Sequence, residues 1–285
     1  MLVKSRDLYE QARAGGYAIG AFNTSMLEVT KAIIAGAVAL KSPVIIETSE
    51  GEIGYLSPEM AVAEVKTLAD EADIPVVLHL DHGKKLGTVT AAIAAGYTSI
   101  HVDGSSLPYS ENVKLTKQVV GLARPHELLV EGEIGHITGA SEAHAEEIKI
   151  SPDTLTDPRE AAEFTAATGV DVLAVAIGNI HGVYKNPPSL EFDRLAEITR
   201  LVKTYFSLHG GSGIPRQQVR RAIGMGIVKV NVSTELRLAF HEGLAEEFAA
   251  DPGNVTPYKY LPAGIGAVQR IVETKIKMFG SDGKA

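Results

Sequence analysis

Three histidines, each followed at once by glycine, are the residues most suited to chemistry in this chain: His82 in LHLDHG, His181 in GNIHG and His209 in SLHGG. Each closes or follows a β-rich apolar run, and the glycine beside it removes a side chain and lets a ligand approach the backbone. The sequence has no cysteine, so a bound metal must rest on His, Asp and Glu. Three neutral imidazoles leave one tetrahedral position open, which is the catalytic rather than the structural form of a zinc site. One such histidine alone would be read as a satisfied polar residue; three at one set of strand ends point to a metal. His126, His144 and His241 fall in loop or helix and are read as solvated, and His136 is left unassigned.

Other polar residues end the same kind of run: Asn23, Ser49, Asp81, Asp103, Glu133 and Asn231. Asn23 and Ser49 join the substrate-facing set on that ground. A second group suits phosphate. HGVYK supplies Gly182 and Lys185, HGGSG supplies Gly210, Gly211 and Ser212, and NVST supplies Asn231, Ser233 and Thr234. Glycine-rich turns also serve as plain turns. Their position after the sixth to eighth strands favours backbone N–H groups and hydroxyls that hold a phosphate.

These residues need a scaffold that gathers strand ends. Strands are expected at Tyr17–Asn23, Val44–Ser49, Val76–Asp81, Ser99–Asp103, Leu128–Glu133, Val172–Gly178, Tyr205–His209 and Ile227–Ser233. Helical patterns separate them. Ser57 and Pro58 suit the cap and first position of one helix, while Asp157, Pro158 and Glu160 open another that Gly169 ends. Eight alternating strand and helix units predict a (β/α)8 barrel, whose active face lies at the carboxyl ends of the strands. One connection breaks the rhythm: Gly135 to Ser151, rich in Gly, Ser and acidic residues, has the length of a lid or binding loop.

The totals point to a soluble globular protein. A formal charge of −8 and a pI near 5.6 exclude a polyanion-binding surface and so nucleic acid, although one phosphorylated metabolite needs only a local cluster of donors. No apolar run approaches the ~20 residues of a membrane span, and the polar N-terminus lacks the apolar core of a signal peptide. The expectation is a cytoplasmic protein, with residues 1–285 forming one barrel domain.

YAIGAFN, LHLDHG, DGS at residues 103–105, VEGEIG, GNIHGVYK, LHGGSGIP and KVNVSTEL follow one another across nearly the whole chain. In that order they resemble the class II, metal-dependent fructose- and tagatose-bisphosphate aldolases. The resemblance implies zinc on His82, His181 and His209, with Glu133 as a nearby or alternate ligand. It also implies Asp81 as acid/base on the C4 hydroxyl and Asp103 in support. Gly182, Lys185, Gly211, Ser212, Asn231, Ser233 and Thr234 match segments that hold the dihydroxyacetone-phosphate half. A monovalent cation, sodium or potassium, near the His-Gly turns and a homodimer are also implied.

Two positions depart from the family pattern. Ser141 falls where a loop glutamate is expected and Glu142 comes one residue later, which makes Glu142 the candidate base on the ketone fragment. Pro257-Tyr258 replaces a Pro-Arg pair, leaving Lys259 to meet the distal phosphate. The resemblance implies fructose 1,6-bisphosphate as substrate, and the two departures bear on that identity, with tagatose 1,6-bisphosphate or another phosphorylated ketose as the alternative. A non-catalytic phosphosugar-binding barrel is the rival from another class, and the presence of Asp81 beside three histidines argues against it. A Schiff-base mechanism would need a lysine at the substrate carbonyl, and Lys229, the only strand lysine, lies two residues below Asn231. Strand parity puts Glu131 and Lys229 on the same inner face as Glu133 and Asn231, so an ion pair between them is expected.

Overall fold

The computed structural model describes residues 1–144, 150–187 and 189–285. Ten strands are found among them: β1 (Ile19–Asn23), β2 (Val44–Ser49), β3 (Val76–Gly83), β4 (Ser99–Val102), β5 (Leu129–Ile134), β6 (Ala143–His144), β7 (Val172–Val175), β8 (Val183–Tyr184), β9 (Tyr205–Leu208) and β10 (Ile227–Val232). Eight of them close a parallel barrel in the order β1-β10-β9-β7-β5-β4-β3-β2, with helices on the connections. All eight expected strands are present, and the fold is the (β/α)8 barrel.

Local chemistry explains several element ends. Ser57 accepts from Met60 N at 3.2 Å, and Asp157 accepts from Arg159 N and Glu160 N at 2.8 and 3.0 Å. Gly169 ends its helix in the left-handed region at φ 70°. Helix Glu50–Leu56 was not expected. It is opened by a capping box in which Glu52 returns to the Ser49 N–H at 2.7 Å. The sixth barrel strand is shorter than expected because Asn179 Oδ1 accepts from Ile177 N at 2.8 Å and turns the chain away.

The barrel interior is layered. Helix Arg6–Gly15 plugs the amino-terminal end, where Leu8, Tyr9 and Ala12 pack on Ile19, Ile45, Val77, Leu129, Val172, Tyr205 and Val228. Above that apolar floor lies a buried polar layer containing Glu47, His79, Glu131, Ser207 and Lys229. The larger apolar core fills the space between the barrel and its helices, as inward and outward alternation requires. The polar layer supports the strand ends, where a cavity of about 350 Å³ opens.

The long connection is pinned at its start. β6 pairs with β8 through Ala143–Val183 and His144–Tyr184, and His181 N donates to Thr138 O at 2.8 Å. His144, expected to be solvated, stacks on Tyr184 with centroids 4.5 Å apart, because this short pairing brings the two rings together. Glu146 and Glu147, also carried by this connection, lie outside the described residues.

Candidate active site

β3 turns sharply as it leaves the barrel. His82 adopts φ 48°, a left-handed conformation uncommon for a residue with a side chain, and the β3–β4 register shifts between Leu80 and Gly83. Gly83 is needed there, since a Cβ would meet the His101 carbonyl at 2.9 Å. The turn places Asp81 and His82 side by side at the cavity wall.

Second partners fix the orientation of two of the histidines. His82 Nδ1 lies 2.9 Å from Asp103 Oδ2, which leaves Nε2 facing inward. His209 Nε2 lies 2.6 Å from Glu131 Oε1, which leaves Nδ1 facing inward. The two inward nitrogens are 3.0 Å apart. His181 joins them edge-on, its ring centroid 5.1 Å from that of His82 and 6.2 Å from that of His209. Carboxylates on the outer nitrogens of metal-binding histidines fix tautomer and direction, and both Asp103 and Glu131 are placed to do this.

Electrostatics favours a cation at that point. Burial lowers the His82 pKa, but Asp81, Asp103 and Glu133 outweigh it and raise it to about 10. Burial lowers the pKa of His209 to about 4 and that of His181 to about 3, so both stay neutral. The two inward nitrogens face each other at 3.0 Å beside three carboxylates, a place that a divalent cation could occupy. Burial and Asp103 push Glu133 up to about 7 against the pull of His82 and His101. Its Oε2 is buried without a hydrogen-bond partner, as is His101 Nε2, 3.9 Å away. Converging imidazole nitrogens with an orphaned carboxylate oxygen beside them fit zinc or a similar borderline ion.

Asp81 accepts from Asn23 Nδ2 at 3.1 Å and from Asn231 Nδ2 at 3.3 Å. Burial alone would raise its pKa; His82, His101, His209 and Lys229 hold it well below the carboxylate range. It is thus an ionised carboxylate on the cavity wall, a group that could act as a base. Ser49, Gly182, Gly210, Ser212, Ser233 and Thr234 also line the cavity. Gly182 has φ 102°, and a Cβ there would lie 2.6 Å from Ala140 O; a Cβ on Gly210 would lie 2.0 Å from Ile180 O. Both glycines are required by close backbone approach.

Four expected residues are not on this wall. Gly211, in the turn beyond β9, spends its N–H on Asn231 O at 2.8 Å. Lys185 is exposed beyond β8, and Lys259 is exposed in the first turn of helix Pro257–Phe279. Glu142 is exposed while its neighbour Ser141 lines the cavity, because Glu142 uses its carbonyl to pair with Val183 N at 2.9 Å.

Several site residues escaped the sequence reading. His101 is fully buried, accepts from His82 N at 3.2 Å and clusters with Asp81, His82 and His209. Glu52 and Arg237 meet at the cavity mouth. Buried Lys275 pairs with Glu235, which accepts from Gly213 N at 3.2 Å and so braces the HGGSG turn. His101 could have been found by parity, two residues before Asp103; the others depend on tertiary contacts.

Comparison with known proteins adds to this geometry. The family profile described as "Fructose-bisphosphate aldolase class-II" matches residues 3–284. The chain is 41% identical to the fructose-bisphosphate aldolase of Geobacillus stearothermophilus, covering 100% of this chain and 99% of the relative. It is also 41% identical to the 6-phospho-5-dehydro-2-deoxy-D-gluconate aldolase of Shouchella clausii (strain KSM-K16), over 99% and 96% of the two chains. Among solved structures, the YdjI aldolase of Escherichia coli K12 superposes with a TM-score of 0.88 at 35% identity, with full coverage of both chains.

Proposed function

The chain belongs to the class II fructose-bisphosphate aldolase family, a metal-dependent family of lyases acting on small sugar phosphates, and we propose that it cleaves fructose 1,6-bisphosphate reversibly with zinc. The observation that carries this reading is the pair of inward nitrogens, His82 Nε2 and His209 Nδ1, beside an ionised Asp81. His82, His181 and His209 are the proposed ligands, with Glu133 as the alternate fourth donor. Zinc held there would supply Lewis-acid polarisation of the substrate ketone.

The chain's own residues do the rest. Asp81, oriented by Asn23 and Asn231, takes the C4 hydroxyl proton as the C3–C4 bond breaks and its electron pair stays on the ketone fragment. Gly182, Gly210, Ser212, Ser233 and Thr234 hold that fragment's phosphate. Glu142 returns a proton to the fragment's carbon once its loop closes and excludes water. Lys229 does not form a Schiff base: buried beside two carboxylates, it holds its proton more tightly than a free lysine.

The same chemistry on tagatose 1,6-bisphosphate is the second reading, favoured by Tyr258 in place of the arginine expected there. A third substrate is suggested by the Shouchella clausii relative, named for a phosphorylated keto-acid. A coupled assay of fructose 1,6-bisphosphate, tagatose 1,6-bisphosphate and 6-phospho-5-dehydro-2-deoxygluconate tests all three. Fastest cleavage of the first supports the proposal; preference for another relocates the substrate, and cleavage of none removes the aldolase reading.

A further inference from the structure

Among the described residues, only two basic side chains besides histidines line the cavity, Lys84 and Arg237. Lys259, expected to meet the far end of the substrate, is exposed and off the wall. Arg237 stands in the first helical turn after β10, and its Nη2 donates to Glu52 Oε1 at 2.9 Å. The Glu52 side chain is 9% exposed, whereas that of Arg237 is 53% exposed. The carboxylate is therefore a fixed anchor and the guanidinium is open to a ligand.

The anchor also ties Arg237 to the general base. Glu52 Oε2 accepts from Ser49 N at 2.7 Å, Ser49 Oγ at 2.9 Å and Asn23 Nδ2 at 3.1 Å, and Asn23 Nδ2 also reaches Asp81 Oδ2 at 3.1 Å. This chain of contacts sets Arg237 on the side of the mouth that Asp81 serves, where the leaving aldehyde lies if Asp81 acts on the C4 hydroxyl. A second interaction, Arg237 Nη1 to Ser141 O at 3.4 Å, joins it to the long connection. Glu52 and Ser141 engage two of its five N–H donors among the described residues, leaving three for an anion. A planar fork suits phosphate or carboxylate better than a point charge does. An anion held on this side of the mouth, near the carboxylates of Glu52 and Asp81, gains from such a local positive charge.

We infer that Arg237, aimed by Glu52, recognises the far anionic group of the substrate, a phosphate or a carboxylate, and so sets specificity for the aldehyde half. This rests on the proposed function only in taking Asp81 as the base that marks that half.

Calorimetry with the zinc-loaded protein tests it with three linear probes that cannot be cleaved: a hexitol 1,6-bisphosphate, a 6-phosphohexonate and a hexitol 1-phosphate. The wild type should bind one of the first two at least about tenfold more tightly than the third, the scale of one hydrogen bond to a charged group. Which one is preferred identifies the anion as phosphate or carboxylate. Arg237→Ala should shrink that ratio to about one, and Arg237→Lys should keep part of it. A wild type that binds all three equally, or an Arg237→Ala protein that keeps the full ratio, overturns the inference. Because binding is the readout, a protein that cleaves no ketose and yet loses the ratio in Arg237→Ala retains this inference and loses the aldolase reading.

Discussion

Lys229 Nζ lies 2.9 Å from Glu131 Oε2 in the closed interior of the barrel, and the other oxygen of Glu131 meets His209 Nε2 at 2.6 Å. The ion pair expected from strand parity therefore also aims a candidate metal ligand. Lys229 holds a second carboxylate, Glu47, at 2.8 Å, and Nζ lies 3.3 Å from His79 Nε2. His79 is kept neutral chiefly by burial and next by Lys229, so it accepts from the ammonium.

Removing one partner should expose the cost of burying the other. Lys229→Met should destabilise the fold by about 3–5 kcal/mol, because Glu131 is left as an uncompensated buried charge. Adding Glu131→Gln should restore part of the loss. Urea unfolding of the single and double variants measures both, and a single-variant loss under about 1 kcal/mol would show that the pair does not matter to stability.

One lysine faces two carboxylates, and only one is held ionised. Burial raises Glu47 from 4.5 to about 8, despite Lys229, while Glu131 stays well below its usual range: burial opposes this, but Lys229, His101 and His209 outweigh it. A raised folded-state pKa gives stability that is complete below about 4.5 and is lost as pH rises through about 8. Glu47→Gln cannot lose that proton. Its stability relative to wild type should therefore rise across this window, measured as the difference in unfolding midpoint at pH 5 and pH 8.5. A difference that is flat or falls with pH would place the titration elsewhere.

Asp81→Ala should retain bound zinc and lose about 10²–10⁴-fold in kcat with little change in KM. Steady-state kinetics and metal content on the same preparation provide the check. Near-normal kcat would remove Asp81 as the base.

Glu142 needs the loop to move, since its side chain points to solvent while Ser141 faces the cavity. Glu142→Ala should slow solvent exchange of the dihydroxyacetone-phosphate proton with zinc content intact, and Ser141→Ala should slow it much less. The reverse order would transfer the role to the position that already lines the cavity, and loss in Glu146→Ala or Glu147→Ala alone would move it along the loop.

The barrel was legible because its strands end in polar residues and two of its helices begin with Ser57 and Asp157 caps, both local signals. His82, His181 and His209 were legible through their glycines, and the structure brings all three to one wall. The partners of these residues were less legible. Glu52 meets Arg237 across 185 positions of sequence, and the exposure of Glu142, Lys185 and Lys259 depends on how loops and the last helix pack, which residue type alone does not encode. His101 lies between these cases: parity marks it as inward, but no glycine or neighbouring motif sets it apart.

Cleavage should require a cation held by His82, His181 and His209. The most direct test of this requirement is fructose 1,6-bisphosphate cleavage by wild type and by the three single alanine variants, before chelation, after exhaustive chelation and after zinc is returned. The wild type should lose cleavage with its metal and regain it with about one zinc per chain, and the three variants should neither bind zinc tightly nor recover. Full turnover by the metal-free wild type, or by any of the three variants, would contradict it.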